Sequence, residues 1–197
     1  MRVGTLADRR ARSGTGTVSP GAACDLTTCG APTYEQGMNL AGIAHIQLSV
    51  TDFARSRAFY RALCEHFEMH CQYDAAGTET EGGILYYIGG KTGLLLRPVS
   101  PQHSGERFDQ QRPGLHHFCF RARSRQDIDA FALFFASTLA GLGGKLVHPP
   151  EDGAWAPGYY SILFEDPDGI RVELNYVPGK GNLADGIALP LPERVDR

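Results

Sequence analysis

The segment IAHIQLSVTDFARSRAFY, residues 43–60, changes from a strand pattern to a helix pattern within a few residues. From residue 44 to residue 50, apolar side chains occupy the even positions and polar side chains the odd ones, which predicts a half-buried strand. Asp52 then stands where a helix N-cap is expected, ahead of a predicted amphipathic helix over residues 53–67. The apolar face of this helix consists of Phe53, Phe59, Leu63 and Phe67. The segment therefore predicts one strand followed by one helix.

The order of elements that begins in this segment is repeated later in the chain. In the first half, further strands are predicted at 84–88 and 94–99, on either side of a Gly-rich turn. In the second half, an alternating strand at 115–122 precedes a helix that starts at Ser124 and ends at Gly143-Gly144. The last predicted strands lie at about 146–147, 161–164 and 170–176. This repetition predicts an α+β fold in which two tandem βαβββ modules pair into a curved, partly open barrel around a metal cleft.

The two modules are assigned to residues 41–100 and 114–181, and tails are predicted on both sides of them. Residues 1–37 are rich in small residues and Arg and have no apolar period, which predicts a disordered N-terminal extension. Met38 directly follows this stretch, and we hypothesise that it is the true translation start. Residues 182–197 are predicted to form a C-terminal tail.

Composition excludes several classes of partner. The 197 residues carry a formal net charge of −3, so the chain has no basic footprint for nucleic acid. No apolar run approaches the roughly 20 residues that a membrane-spanning helix needs. The five Cys residues are odd in number and lack paired CxxC spacing, which argues against a disulfide framework and against a structural zinc site. We therefore expect a cytoplasmic protein whose partner is a small molecule.

Two histidines occupy matching places in the two modules. His45 lies on the polar side of the first strand of module one, and His117 holds the same position in module two. Glu173 lies on the polar side of the last strand of module two. If two half-barrels pair, these side chains converge as a facial triad that suits Fe(II) or Mn(II), with Zn(II), Ni(II) or Co(II) as further candidates. Each of these residues taken alone is more often an ordinary strand residue than a metal ligand. It is their matching positions in the two modules that indicate a site for one divalent metal ion.

The same alternation places other residues near the predicted cleft. Candidate substrate-binding residues are Gln47, Ser49, Arg121 and Asn175 on the strands, and Trp155 in a loop. One tyrosine of the pair Tyr159 and Tyr160 is expected to face the cleft, where a phenol can hydrogen-bond an oxygen or act as an acid. Tyr160 is the candidate catalytic residue, with ordinary packing in the core as the alternative. His116 is expected to face the core, since alternation gives only one of two adjacent histidines to the cleft.

Three stretches together resemble the vicinal oxygen chelate superfamily, which includes glyoxalase I, extradiol dioxygenases, fosfomycin-resistance transferases and bleomycin-binding proteins. They are residues 43–60, GLHHFCFRA at 114–122 and YYSILFEDPDGIRVELNYVPGKG at 159–181. The resemblance covers about residues 41–181 and implies a homodimer with His45, His117 and Glu173 as metal ligands. The last strand of module one often supplies a fourth ligand in this family, but no carboxylate occurs between Glu81 and Glu106. This departure argues against glyoxalase I and leaves the three-ligand arrangement intact.

The expected function is that of a metal-dependent enzyme acting on a small substrate with adjacent oxygens. Dioxygenase-like oxygenation is favoured over glyoxalase- or epimerase-like proton transfer because the fourth carboxylate is missing. The alternatives are a fosfomycin-type thiol transferase and a metal-free small-molecule-binding protein of the bleomycin-resistance kind. The sequence leaves open whether the half-barrels pair within one chain or between two chains.

Overall fold

The computed structural model describes residues 42–77 and 82–179, which form two four-stranded sheets with their helices. Module one consists of β1 (His45–Val50), α1 (Phe53–His66), β2 (His70–Ala75), β3 (Ile84–Gly89) and β4 (Thr92–Pro98). Module two consists of β5 (His117–Arg121), α2 (Arg125–Phe134) with a π-helical turn (Phe135–Leu139), β6 (Lys145–Asp152), β7 (Tyr160–Glu165) and β8 (Arg171–Tyr176). The extension predicted at 1–37 and the tail predicted at 182–197 lie outside the described residues.

Both modules have the same strand order, which confirms the predicted duplication. Sheet one has the order β1-β4-β3-β2 and sheet two the order β5-β8-β7-β6. In each sheet the first strand is parallel to the last, and the other neighbouring strands are antiparallel. The helix of each module carries the chain to the opposite edge of its sheet, and the next three strands return as a meander. In the part of the chain that the structure describes, the two sheets remain open and do not close into a barrel.

Both helices begin at the residues that the sequence predicts. The Asp52 carboxylate accepts a hydrogen bond of 3.0 Å from the backbone N–H of Arg55. The Ser124 hydroxyl accepts one of 3.1 Å from the backbone N–H of Asp127. These side chains satisfy amide groups that have no partner inside the first turn of a helix. Of the helices in the described segments, none has the length and apolar content to cross a bilayer.

The structure contains one strand of module one, β2, that the sequence pattern does not predict. β2 is an edge strand, and its first four side chains, His70 to Tyr73, are exposed. Such a strand has no buried face, so it lacks the alternation of apolar and polar residues that marks the other strands. Its position at the edge of sheet one is decided by its antiparallel pairing with β3.

The core lies between the two sheets, and α1 contributes to both modules. The ring of Phe59 on α1 lies 6.4 Å from that of Phe164 on β7, and Phe67 at the end of α1 lies 5.2 Å from Phe120 on β5. One continuous cluster of buried side chains includes residues from both helices and from the inner faces of both sheets. The helices therefore separate the sheets, and the outer face of each sheet points away from the core.

The turn DPDG between β7 and β8 fastens module two to the start of module one. Asp168 accepts hydrogen bonds from the backbone N–H of Thr51, at 3.1 Å, and from the Ser56 hydroxyl, at 3.2 Å. The buried Asp166 accepts a hydrogen bond of 2.8 Å from the Tyr60 hydroxyl, and its other oxygen accepts two backbone N–H groups of the turn. Burial raises the pKa of Asp166 to about 6. This turn thus positions β8, whose outer face carries Glu173.

Candidate functional site

The outer face of sheet two brings His117 and Glu173 together. β5 and β8 are neighbouring parallel strands, with Cys119 opposite Glu173 in the register. Nε2 of His117 lies 3.3 Å from Oε2 of Glu173. The Glu173 side chain is mostly buried, whereas that of His117 is partly open to solvent. A nitrogen donor and a carboxylate oxygen are thus held side by side at one accessible point of the sheet.

A chain of hydrogen bonds holds the Glu173 carboxylate in place. The Tyr159 hydroxyl donates to Oε1 of Glu173, and Nδ2 of Asn175 donates to the Tyr159 oxygen over 3.0 Å. Burial, together with the charge of Glu173, raises the pKa of the Tyr159 phenol, so the proton stays on that oxygen at neutral pH. Oδ1 of Asn175 is buried without a hydrogen-bond partner among the described residues. Solvent does not reach this oxygen, so it is an unpaired buried acceptor on the residue that holds Tyr159.

The structure brings Tyr159, and not the predicted Tyr160, to the carboxylate. The Tyr160 hydroxyl donates to Asp129 on α2 over 2.7 Å, and the Arg125 guanidinium lies 3.7 Å above its ring. Tyr160 shares its side of β7 with the buried residues Ile162 and Phe164. Alternation on β7 therefore assigns Tyr160 to the core face and Tyr159 to the outer face. The alternation that distinguishes the two phenols is already present in the sequence.

His116 also lies elsewhere than expected, because it is exposed and does not face the core. Its Nδ1 is 2.7 Å from Nδ1 of His117, so one ring donates a hydrogen bond and the other accepts it. A proton on Nδ1 of His117 leaves its Nε2 free as a lone-pair donor, which is the tautomer that a metal ligand requires. Cys119 lies opposite Glu173, and desolvation of its thiol together with the charge of that carboxylate raises the thiol pKa. A protonated thiol is a poor nucleophile.

The outer face of sheet one carries His45. His45, Gln47 and Ser49 are all exposed on β1, and His45 lies opposite Gly93 in the register. A Cβ atom added to Gly93 would lie 2.8 Å from the Tyr86 ring and 3.2 Å from Cβ of His45, so the missing side chain lets Tyr86 lie beside His45. His45 thus stands next to a phenol on the face that points away from the core.

Leu95 occupies the place in module one that Glu173 occupies in module two. Leu95 lies opposite Gln47, two residues after His45, and Glu173 lies opposite Cys119, two residues after His117. The sequence prediction that module one supplies no carboxylate at this position agrees with the register. An apolar, half-buried side chain stands there instead.

Of the three predicted ligands, the structure unites two within one chain. His117 and Glu173 are adjacent, but His45 is on the outer face of the other sheet, with both helices between them. Within residues 42–77 and 82–179, no cluster of three or more His, Cys, Asp or Glu side chains has metal-binding geometry. The donor types of His117 and Glu173 fit a divalent ion, but a complete site needs at least one further ligand from outside this face.

The remaining candidates are divided between the two faces. Arg121 is exposed on β5 and lies opposite Asn175 in the register, two residues along β5 from Cys119, which lies opposite Glu173. Trp155 is 70 % exposed in the loop before β7. A Cβ atom added to Gly153 would lie 2.7 Å from the ring of Tyr159 and 3.2 Å from that of Trp155, so both rings flank this glycine. Arg121, Asn175 and Trp155 thus belong with Glu173, whereas Gln47 and Ser49 belong with His45.

Comparisons with known proteins agree with this architecture. Residues 42–174 match a family model described as the Glyoxalase/Bleomycin resistance protein/Dioxygenase superfamily. A solved structure from Bacillus halodurans, provisionally named a glyoxalase, is 26% identical with a TM-score of 0.55, over 73% of this chain and 98% of that chain. A glyoxylase/bleomycin resistance protein/dioxygenase domain from Frankia sp. EAN1pec is 24% identical with a TM-score of 0.54, over 70% and 98%. A glyoxalase-related enzyme from Fulvimarina pelagi is 22% identical with a TM-score of 0.50, over 71% and 90%. The comparison with curated proteins found no match.

Proposed function

Because the chain belongs to the glyoxalase/bleomycin resistance protein/dioxygenase superfamily, we propose that it is a divalent-metal enzyme whose site is completed between two copies. In each site, His117 and Glu173 of one subunit are joined by His45 of the partner subunit. The substrate is a small molecule that binds through two adjacent oxygens. Fe(II) and Mn(II) are the favoured ions, with Zn(II), Ni(II) and Co(II) as alternatives.

The observation that carries this proposal is the arrangement of His117, Glu173 and Tyr159 on an exposed sheet face. Nε2 of His117 and Oε2 of Glu173 are 3.3 Å apart, and the Tyr159 hydroxyl fixes the second carboxylate oxygen. Metal-binding residues are commonly oriented by hydrogen bonds of this kind. A strand carboxylate with no function would lie in water and would need no half-buried phenol as its hydrogen-bond partner.

A second copy is the simplest source of the third ligand. Moving His45 to Glu173 within one chain would require the shared core between the sheets to open. Among the strands of residues 42–77 and 82–179, β1 and β5 each have a neighbour on one side only, so each leaves one edge for pairing. If β1 of the partner subunit lies beside β5, the two outer faces become one continuous curved surface. A twofold dimer forms two such sites.

The residues of this chain suggest how the site works. A bound divalent ion would supply Lewis acidity to two adjacent substrate oxygens. The protonated Tyr159 would hold Glu173 in one orientation and donate no charge of its own, because its pKa is raised. Nδ2 of Asn175 would keep the Tyr159 phenol in the orientation in which it holds Glu173, through its 3.0 Å hydrogen bond to the phenol oxygen. Arg121, exposed on β5, would bind an anionic oxygen of the substrate.

Among reaction types, oxygenation is favoured over proton transfer. Proton transfer next to a carbonyl needs a base close to the bound substrate, and the position that would supply a second carboxylate is occupied by Leu95. A thiol transferase remains the next candidate. Oxygen consumption with a panel of catechols, measured against isomerisation of a hemithioacetal, separates the first two reactions.

The metal content of purified, reconstituted protein tests the site itself. Wild type is expected to bind about one ion per chain, and His45→Ala, His117→Ala and Glu173→Gln are expected to bind much less. His70→Ala is the matched control, because His70 is an exposed histidine on β2. Wild-type protein that binds no ion but still binds small ligands would favour the metal-free binding alternative.

Mixed dimers test whether the site forms between chains. His45→Ala and His117→Ala each destroy every site of their own homodimer. A mixed dimer of the two variants contains one site with both changes and one site with neither. Random mixing of equal amounts should therefore restore about a quarter of the wild-type metal content. Restoration of none, with mixed dimers demonstrated by mass spectrometry, would contradict a site formed between chains.

A further inference from the structure

The outer face of sheet one contains a cavity that the metal ligands do not explain. Its volume is about 870 Å³, and it opens between β2, β3 and β4. The side chains that define its chemistry are Gln72, Tyr73, Ile84, Tyr86 and Arg97. Two phenol rings, an aliphatic side chain and one cation thus surround the space. A largely apolar lining with one placed charge is typical of sites that bind a small organic ligand and fix its orientation through that charge.

Arg97 is the only charged side chain among the described residues that line this cavity. It lies on β4, opposite Ser49, and is exposed. Within residues 42–77 and 82–179, no hydrogen bond or ion pair engages its guanidinium. A guanidinium presents its N–H groups as a planar fork that matches the two oxygens of a carboxylate or a phosphate. The cavity therefore contains a ready anion partner.

Tyr86 connects this cavity with His45. Tyr86 lines the cavity, and its ring passes over Gly93, where an added Cβ would be only 2.8 Å away. His45 lies directly opposite Gly93, and its Cβ is 3.2 Å from the same added atom. One surface thus continues from Arg97, across the ring of Tyr86, to the imidazole of His45.

We propose that this cavity determines substrate specificity by binding an anionic group of the substrate at Arg97, with the apolar middle of the molecule against Tyr86. The inference rests on the proposed function, which places the reacting oxygens beside His45. Gly93, which lies opposite His45, is four residues from Arg97 on β4, and four residues span about 13 Å along a strand. The substrate therefore carries its carboxylate or phosphate on the order of 10 Å from its oxygen pair. This defines the class as extended, partly apolar organic acids.

The anion site can be tested without a metal ion. Binding of 3-phenylpropionate and of its uncharged methyl ester to metal-free protein is measured by NMR titration, with phenyl phosphate as a second anion. Both anions are expected to bind at least tenfold more tightly than the ester, which is about 1.4 kcal/mol. Arg97→Gln should reduce this preference to less than twofold. Arg123→Gln is the matched control, because Arg123 is an exposed arginine that does not line the cavity, and it should keep the preference.

The outcomes separate this inference from the proposed function. Equal binding of acid and ester, or a preference that persists in Arg97→Gln, would overturn the anion site even if the metal site is present. Loss of the preference in Arg97→Gln, together with wild-type protein that binds no metal, would retain the anion site and overturn the metal enzyme. A preference for phenyl phosphate over 3-phenylpropionate, or the reverse, would assign the anion to one of the two groups.

Discussion

Replacing Tyr60 with Phe is expected to destabilise the fold by an amount that depends on pH. The Tyr60 hydroxyl donates a 2.8 Å hydrogen bond to Asp166, and both groups are buried. Loss of a hydrogen bond to a buried acidic group costs about 2 kcal/mol. For a domain of this size that corresponds to a fall in Tm of roughly 6 °C. The hydrogen bond stabilises mainly the ionised form of Asp166, because a carboxylate is a stronger acceptor than a protonated carboxyl. Its loss therefore costs more stability when Asp166 is ionised.

The sign of the pH dependence follows from the raised pKa of Asp166. Its value in the folded protein is about 6, above that of an unfolded Asp, so folding favours the protonated form. The resulting stability is fully present below about pH 4 and is lost as the pH rises through 6. The difference of about two pKa units corresponds to roughly 3 kcal/mol. Because the Tyr60 hydrogen bond lowers this pKa, removing it increases the loss at high pH.

Urea unfolding at pH 4.5, 6.0 and 7.5 measures the free energy of unfolding of wild type, Tyr60→Phe and Asp166→Asn. It gives the cost of losing the Tyr60 hydrogen bond and the pH dependence that Asp166 contributes. Tyr60→Phe should be less destabilised at pH 4.5 than at pH 7.5, and Asp166→Asn should lose the slope between pH 4 and 6. The control is Tyr87→Phe, since Tyr87 is also a buried tyrosine but its hydroxyl contacts the exposed Glu65 over 3.3 Å. A Tyr60→Phe penalty that is the same at every pH, or an unchanged slope in Asp166→Asn, would refute the reasoning.

Two further changes test the site and its neighbourhood. Tyr159→Phe removes the hydroxyl that orients Glu173 and should weaken metal binding about tenfold. Tyr160→Phe is the control and should leave metal affinity unchanged, because the Tyr160 hydroxyl contacts Asp129. Equal metal affinities of the two variants, measured in competition with a chelator, would contradict this role of Tyr159. Gly93→Ala places a Cβ 2.8 Å from the Tyr86 ring and should cost about 1–3 kcal/mol, measured by urea unfolding. The same change in a Tyr86→Ala background should cost much less, and an undiminished cost would exclude that ring as the cause.

Much of the fold follows from local pattern in the sequence. The alternation in β1 and β5, the caps at Asp52 and Ser124, and the repetition of one module were all confirmed. The prediction was incomplete at β2, because an exposed edge strand has no buried face to reveal it. It differed at Tyr159 and Tyr160, where the alternation of Ile162 and Phe164 already indicated which phenol faces outward.

The sequence by itself determined two repeated modules and the side of its strand on which each candidate ligand lies. Only the tertiary structure decided which sides meet. Periodicity reports that one face of a strand is buried, but it does not report what buries it. Here the apolar faces of both sheets pack with α1 and α2 into one core. The polar face that carries His45 therefore points away from the polar face that carries His117 and Glu173. Tertiary packing likewise placed Arg97 in a cavity, since a cation on an alternating strand looks the same whether it faces water or a ligand.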